Sequence, residues 1–343
     1  MAERADFPHP PSLSKGATYE FGGTNIRVKV REFLPGKEAY NPQEALVLFH
    51  GWGFTEKARS YDELANGLAK CFKRRVLLVD TRAEKLVEDS LYHEAKAVHQ
   101  FLKEMGISDV VAAGYSRGGA EAVNFAAIPQ IEKAKEAPSD EEFCGIGALL
   151  LVAPVGLRAQ TPNELIETFM EDLKGTRKKI MEEKIVGQHG AGKESKYGEY
   201  EERGRVGKIM KIVKAGGDII GGLGGEVVRS NVRYRQRFDH QVEEMAQLNP
   251  RLARVNVPVV LIQGKYDLPA GPETALAKGQ MAEQDPSGIV KKTLSSLFPG
   301  SPYVTRVLAE RSGNHAFALV RSEQLARVMH YLFQRQNQAN NHK

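Results

Sequence analysis

Val110-Val111-Ala112-Ala113-Gly114-Tyr115-Ser116-Arg117-Gly118-Gly119 is the stretch that decides the fold. Four small or branched apolar residues read as a strand, the next five spell G-x-S-x-G, and a helical pattern follows over Gly118–Ala127. A strand that turns straight into a helix leaves no room for side chains beside the turn, so glycines flank the serine. The sharp turn lifts the Ser116 hydroxyl above the end of the strand and aims the following backbone N–H at the same point. The five-residue pattern is weak by itself, because Gly and Ser are common. Its strand-before, helix-after context favours a nucleophile over a chance turn.

Outward from this segment the chain alternates. Short apolar runs at Ala45–Phe49, Val76–Val79, Ala148–Val152 and Val257–Gln263 suit strands buried on both faces of a parallel sheet. Ser60–Cys71 and Ser90–Met105 suit crossover helices between them. Thr18–Phe21 and Ile26–Phe33, joined across Gly22-Gly23, predict an opening hairpin. The class is therefore α/β with a mostly parallel sheet flanked by helices.

The alternation stops after Val152 and resumes at Val257, and the interval from Gly156 to Leu248 holds only helical patterns. Thr161, Pro162 and Glu164 form a capping box with Pro at the first helical position. Leu165, Ile166, Phe169, Met170 and Leu173 then make one apolar stripe. Val206, Ile209, Met210 and Val213 make another, and the polar Gln188–Glu202 between them is expected to be a mobile loop. Residues 1–155 and 249–343 are thus expected to form the core, with 156–248 an inserted helical cap. The glycine-rich Gly216–Gly225 follows a helical pattern and lacks the Lys-Ser/Thr ending of a phosphate loop, so it is read as a hinge.

A serine hydroxyl needs a base to take its proton. Asp267 follows the run ending at Gly264, and His315, in Ser312-Gly313-Asn314-His315, follows the run Tyr303–Leu308. In an architecture built on such a turn the acid follows a later strand and the histidine follows the last one. Taken singly, Asp267 is equally a turn residue and His315 a surface histidine. Among the nine histidines only His50 and His315 fall where the arrangement would use one. In Phe49-His50-Gly51-Trp52-Gly53, straight after an early strand, Trp52 N–H is assigned with Arg117 N–H to an oxyanion hole. His50 is read as bracing that loop.

Composition bounds the partners. The 343 residues carry a net charge of +5, but Lys and Arg are interleaved with Asp and Glu, which argues against nucleic acid. Two cysteines are too few for a disulfide framework. No apolar run approaches a membrane span and the first fifteen residues lack a signal-peptide pattern, so the cytoplasm is expected. A homo-oligomer is compatible with the sequence.

His50-Gly51-Trp52-Gly53, Gly114-Tyr115-Ser116-Arg117-Gly118, Gly264-Lys265-Tyr266-Asp267 and Gly313-Asn314-His315 together resemble the α/β-hydrolase superfamily, over most of the chain outside the cap and termini. Within it the chain is similar to cap-bearing serine esterases and lipase-like hydrolases. The resemblance implies a carboxylesterase with a Ser116–His315–Asp267 triad, a small-molecule ester substrate and no cofactor or metal. Carbon–carbon-bond hydrolysis by the same triad and a non-catalytic ligand-binding role stay open as alternatives. Leu165, Phe169 and Leu173 are expected to roof a substrate pocket. The resemblance has one departure: relatives often turn after the fourth strand through D-x-x-G-x-G, whereas Asp80-Thr81-Arg82 runs into Ala83-Glu84-Lys85.

Overall fold

The computed structural model describes residues 15–36, 40–51, 54–84, 88–135, 143–157, 159–169, 171, 233–264, 296–309 and 322–341. Eight strands form one sheet in the order β1-β2-β4-β3-β5-β6-β7-β8. They are β1 (Lys15–Phe21), β2 (Thr24–Phe33), β3 (Glu44–Phe49), β4 (Arg75–Ala83), β5 (Asp109–Tyr115), β6 (Gly145–Val152), β7 (Val259–Gly264) and β8 (Val304–Ala309). β1 pairs with β2 as the expected hairpin, and β2 pairs antiparallel with β4. From β4 to β8 every pairing is parallel. The C-terminal ends of β3, β5, β7 and β8 therefore share one edge.

Alternation along the strands feeds two cores. Ala45, Val47 and Phe49 of β3, with Val110 and Ala112 of β5, face one side. Helices α2 (Ser90–Glu104) and α3 (Arg117–Lys133) cover that side through Val98, Phe101, Val123 and Phe125. Leu46, Leu48, Val111 and Ala113 face the other side, beneath α1 (Asp62–Phe72) and the C-terminal helix (Ser322–Asn341). Each fully buried Leu, Val or Phe contributes roughly 1.5–3 kcal/mol against exposure, which is why these strands tolerate so few polar residues.

β4 departs from expectation. Its apolar stretch is Val76–Val79, but the strand continues through Asp80, Thr81 and Arg82 to Ala83. The cause is its neighbour, since β2 pairs with it residue for residue from Phe33↔Val76 to Ile26↔Ala83. Asp80 and Thr81 are consequently buried strand residues.

Two described pieces of the 156–248 interval pack on the core. One is a helix at residues 162–169, numbered α4, and the other is α5 (Arg233–Ala246). The capping box forms as read: Thr161 N–H donates to Glu164 Oε2 at 2.8 Å and Glu164 N–H to Thr161 Oγ1 at 3.2 Å. Leu165 packs with Val242, Met245 and Ala246 of α5 onto Leu91, Ala120 and Val155, with Phe169 at the margin. Ile166, expected in the same stripe, is 38% exposed. It lies one position beyond Leu165, about 100° round the helix, and so leaves the packed face. The two ends of the interval are stitched together, Gln160 N–H to Ala246 O at 2.9 Å and Asn249 N–H to Gly156 O at 2.8 Å. Gln188–Glu202, Gly216–Gly225 and the stripe Val206–Val213 lie outside the described residues, as do Met170 and Leu173. Among the described residues no helix is long and apolar enough to cross a membrane.

Candidate active site

The chain leaves β5 at Tyr115 and enters α3 at Arg117, so a single residue makes the whole turn. That residue, Ser116, has φ 56° and ψ −122°. Positive φ is uncommon for a residue with a side chain, and a strained one costs on the order of 1–3 kcal/mol. Surrounding contacts hold it there. Ser116 N–H donates to Val152 O at 3.0 Å, and Ser116 O accepts from Gly119 N–H at 2.9 Å and Val155 N–H at 3.2 Å. Its neighbours must be glycines. A Cβ on Gly114 would strike the backbone of Gly118, and one on Gly118 would strike the carbonyls of Phe49 and His50.

The same crowding fixes the loop after β3. A Cβ on Gly51 would lie 3.4 Å from Ser116 Cβ, so this loop runs directly beside the serine. Gly51 N–H is already committed to the buried Tyr61 hydroxyl at 2.7 Å. Arg117 N–H heads α3, and the first N–H groups of a helix have no acceptor within it. Trp52 and Gly53 lie outside the described residues.

Beneath the turn is a cluster of buried charges. His50 Nδ1 is 2.9 Å from Gly51 O, a carbonyl that can only accept, so that nitrogen carries a proton. His50 Nε2 sits 3.5 Å from Asp80 Oδ1, where a bare nitrogen would meet a carboxylate lone pair to lone pair. The geometry favours a second proton on the ring facing Asp80. Burial alone would lower the His50 pKa, but Asp80 beside it, with Glu121 behind, raises it. Burial likewise works against ionised Asp80, yet His50 and Arg82 hold it well below the usual carboxylate range. Glu56, also buried, is pushed up by desolvation and by Asp80.

The Arg117 side chain turns inward. Its guanidinium donates to Glu94 Oε2 of α2 at 2.8 Å and pairs with Glu121 one turn further along α3. Thr81 Oγ1–H, next to Asp80 on β4, donates to the same Glu94 oxygen at 3.3 Å. Glu244 of α5 also acts on Arg117, and it receives Ser90 N–H and the Ser90 hydroxyl at the head of α2. Burial, opposed by Arg117 and reinforced by Glu94, pushes the Glu121 carboxyl up to about 7. Burial also raises Glu244. Among the described residues no group of three His, Cys, Asp or Glu side chains is placed to hold a metal ion.

Of the residues singled out in the sequence, Ser116, Arg117 and His50 meet at this edge of the sheet. Asp267, three positions past β7, and His315, six past β8, lie outside the described residues. Leu165 is 1% exposed and packs inside the seam between α4, α5 and the core, while Phe169 is half-buried beside it. Sequence reading missed Glu94, Glu121 and Tyr61. Glu121 left a trace: it is the sole charged residue between Arg117 and Glu132 in a helix otherwise filled with small and apolar residues.

A scan against protein-family models finds no match, and a search among curated proteins finds none. Solved structures do resemble the chain. A probable hydrolytic enzyme from Pseudomonas aeruginosa PAO1 superposes with TM-score 0.56 at 16% identity over 94% of each chain. An α/β-hydrolase fold protein from Chitinophaga pinensis gives 0.53 at 13%, over 94% of this chain and 98% of that one. A membrane phospholipase A described as a bacterial virulence factor gives 0.51 at 15%, over 95% and 87%. With the sheet order and the turn at Ser116, these decide the architecture. The chain has the α/β-hydrolase fold. Within that fold, Asp80 is a strand residue of β4, and its carboxylate goes to His50.

Proposed function

We propose that this protein is a serine hydrolase that cleaves carboxylic esters through an acyl-enzyme, with Ser116 as nucleophile. The observation that carries the reading is the backbone of Ser116: a strained residue at a one-residue strand-to-helix turn, walled by glycines. Nothing about packing requires a serine in that conformation, whereas a nucleophile held above helix-start amides does. His315 removes the Ser116 proton as the oxygen attacks the ester carbonyl, and Asp267 holds the imidazole tautomer and stabilises the imidazolium. The Trp52 and Arg117 amides receive the oxyanion. The alcohol departs with the proton from His315; water, deprotonated by the same ring, then releases the acid and restores Ser116.

Chain reach is compatible with these roles. β7 and β8 lie two and three strands from β5, or roughly 10 and 14 Å. Six residues past Ala309 span up to about 20 Å. The fold-sharing proteins named as a probable hydrolytic enzyme and a phospholipase fit the same class. In this reading the cap selects the substrate, with Phe169 and Leu173 lining an acyl pocket and Leu165 holding α4 beneath it.

A fluorophosphonate followed by peptide mass spectrometry, together with p-nitrophenyl esters of graded length, tests the reading. The adduct is expected on Ser116. Ser116→Ala should lose at least a thousandfold in turnover with an unchanged circular dichroism spectrum. An adduct at another residue, or near-normal turnover in Ser116→Ala, overturns it.

A further inference from the structure

Arg117 follows the nucleophile, and its guanidinium is buried with Glu94 and Glu121 around it. Buried ion pairs are often no more stabilising than apolar side chains of the same volume, so stability does not account for the arrangement. Geometry does. Glu94 belongs to α2, Glu121 to α3 itself, and the Arg117 backbone amide is the first of α3. A guanidinium held by both carboxylates ties the first residue of α3 to α2, and the N–H of that residue has no acceptor within its own helix. Thr81 holds Glu94 in turn, and Asp80 beside it holds His50, whose backbone leads into the loop of Trp52.

We propose that Arg117 is a positioning residue for ester hydrolysis through its side chain as well as its amide, with Glu94 and Glu121 as the clamp that aims that amide at the oxyanion. The proposal rests on the serine-hydrolase reading. An oxyanion donor is worth about 10²–10³ in turnover, and a displacement of about 1 Å forfeits much of that. Loosening the clamp should therefore lower kcat while leaving substrate affinity alone.

The test uses the full-length protein and two mild variants. Arg117→Lys keeps the charge but has no fork to bridge two carboxylates. Glu94→Gln keeps the shape and an accepting oxygen but loses the charge. Fluorophosphonate titration counts competent Ser116 in each preparation, and p-nitrophenyl ester kinetics are expressed per titrated serine. Each variant is expected to lose roughly tenfold in kcat per titrated serine with KM within about twofold. The double variant should be no slower than the slower single one, because both act through one amide. A purely structural role would lower the titratable fraction and Tm but leave kcat per titrated serine within twofold of wild type, and that result overturns the proposal. Losses that multiply in the double variant also overturn it. Wild-type labelling at a residue other than Ser116 removes the hydrolase reading itself, a failure distinguishable from the other two.

Discussion

At the scale of single residues, Ser116 was legible because its turn demands glycines, and glycines are visible in sequence. Asp267 and His315 were assigned only by their place after late strands, and the described residues stop short of both. Their test is chemical. Asp267→Asn should preserve the loop and leave the imidazole in the wrong tautomer, lowering turnover by about 10⁴, as read by p-nitrophenyl acetate hydrolysis. A nearly neutral result would assign the histidine to another carboxylate. The Arg117 side chain was not legible at all. Its clamp joins α2 to α3 across 23 residues, and no local pattern announces which of a helix's glutamates turns inward when the neighbouring helix supplies the partner.

At the scale of elements, the strands of the parallel sheet stood out as apolar runs because both their faces are buried. β4 outran its apolar run for a reason outside itself, the ten-residue partner β2. The start of α4 was plain, since the capping box is a local hydrogen-bond pattern. The direction of its faces was not, because α5 and the core residues Leu91, Ala120 and Val155 together determine which side is covered. The geometry separates two substitutions there. Leu165→Ala removes a side chain packed in the seam and should cost about 2–5 kcal/mol, seen as a lower Tm. Phe169→Ala, at the margin of that seam, should change the ratio of kcat/KM for long and short acyl esters while shifting Tm far less. Burial of one further methylene is worth about 0.8 kcal/mol, so the ratio should move several-fold over a few carbons. An unaltered profile would make Phe169 packing alone.

At the scale of the whole molecule, the concentration of buried charge at one edge couples stability to pH. Glu121 has a folded pKa of about 7 against an ordinary 4.5. A group whose pKa rises on folding stabilises fully below its unfolded pKa, and that contribution disappears as pH rises through the folded one. His50, Glu56 and Glu244 share the sign. His99, buried against Phe125 and lowered to about 4, has the opposite sign. A difference measurement isolates Glu121: the Tm of Glu121→Gln minus that of wild type should rise between about pH 5 and pH 8, by roughly 2–4 °C or more. A flat difference would mean that Glu121 is ionised throughout.

The stitched seam at Gly156–Asn249 and Gln160–Ala246 has a consequence for ancestry as much as for mechanics. The chain departs from and returns to the sheet through one doorway, so the distance travelled between matters little to what lies behind it. Each doubling of an excursion costs only about 0.6 kcal/mol in closure entropy. A replacement of any length and shape that restores those two amide contacts and roofs Leu91, Ala120 and Val155 would leave the eight strands undisturbed. The sheet is thereby separable from the excursion, and one scaffold can carry different insertions through the same doorway.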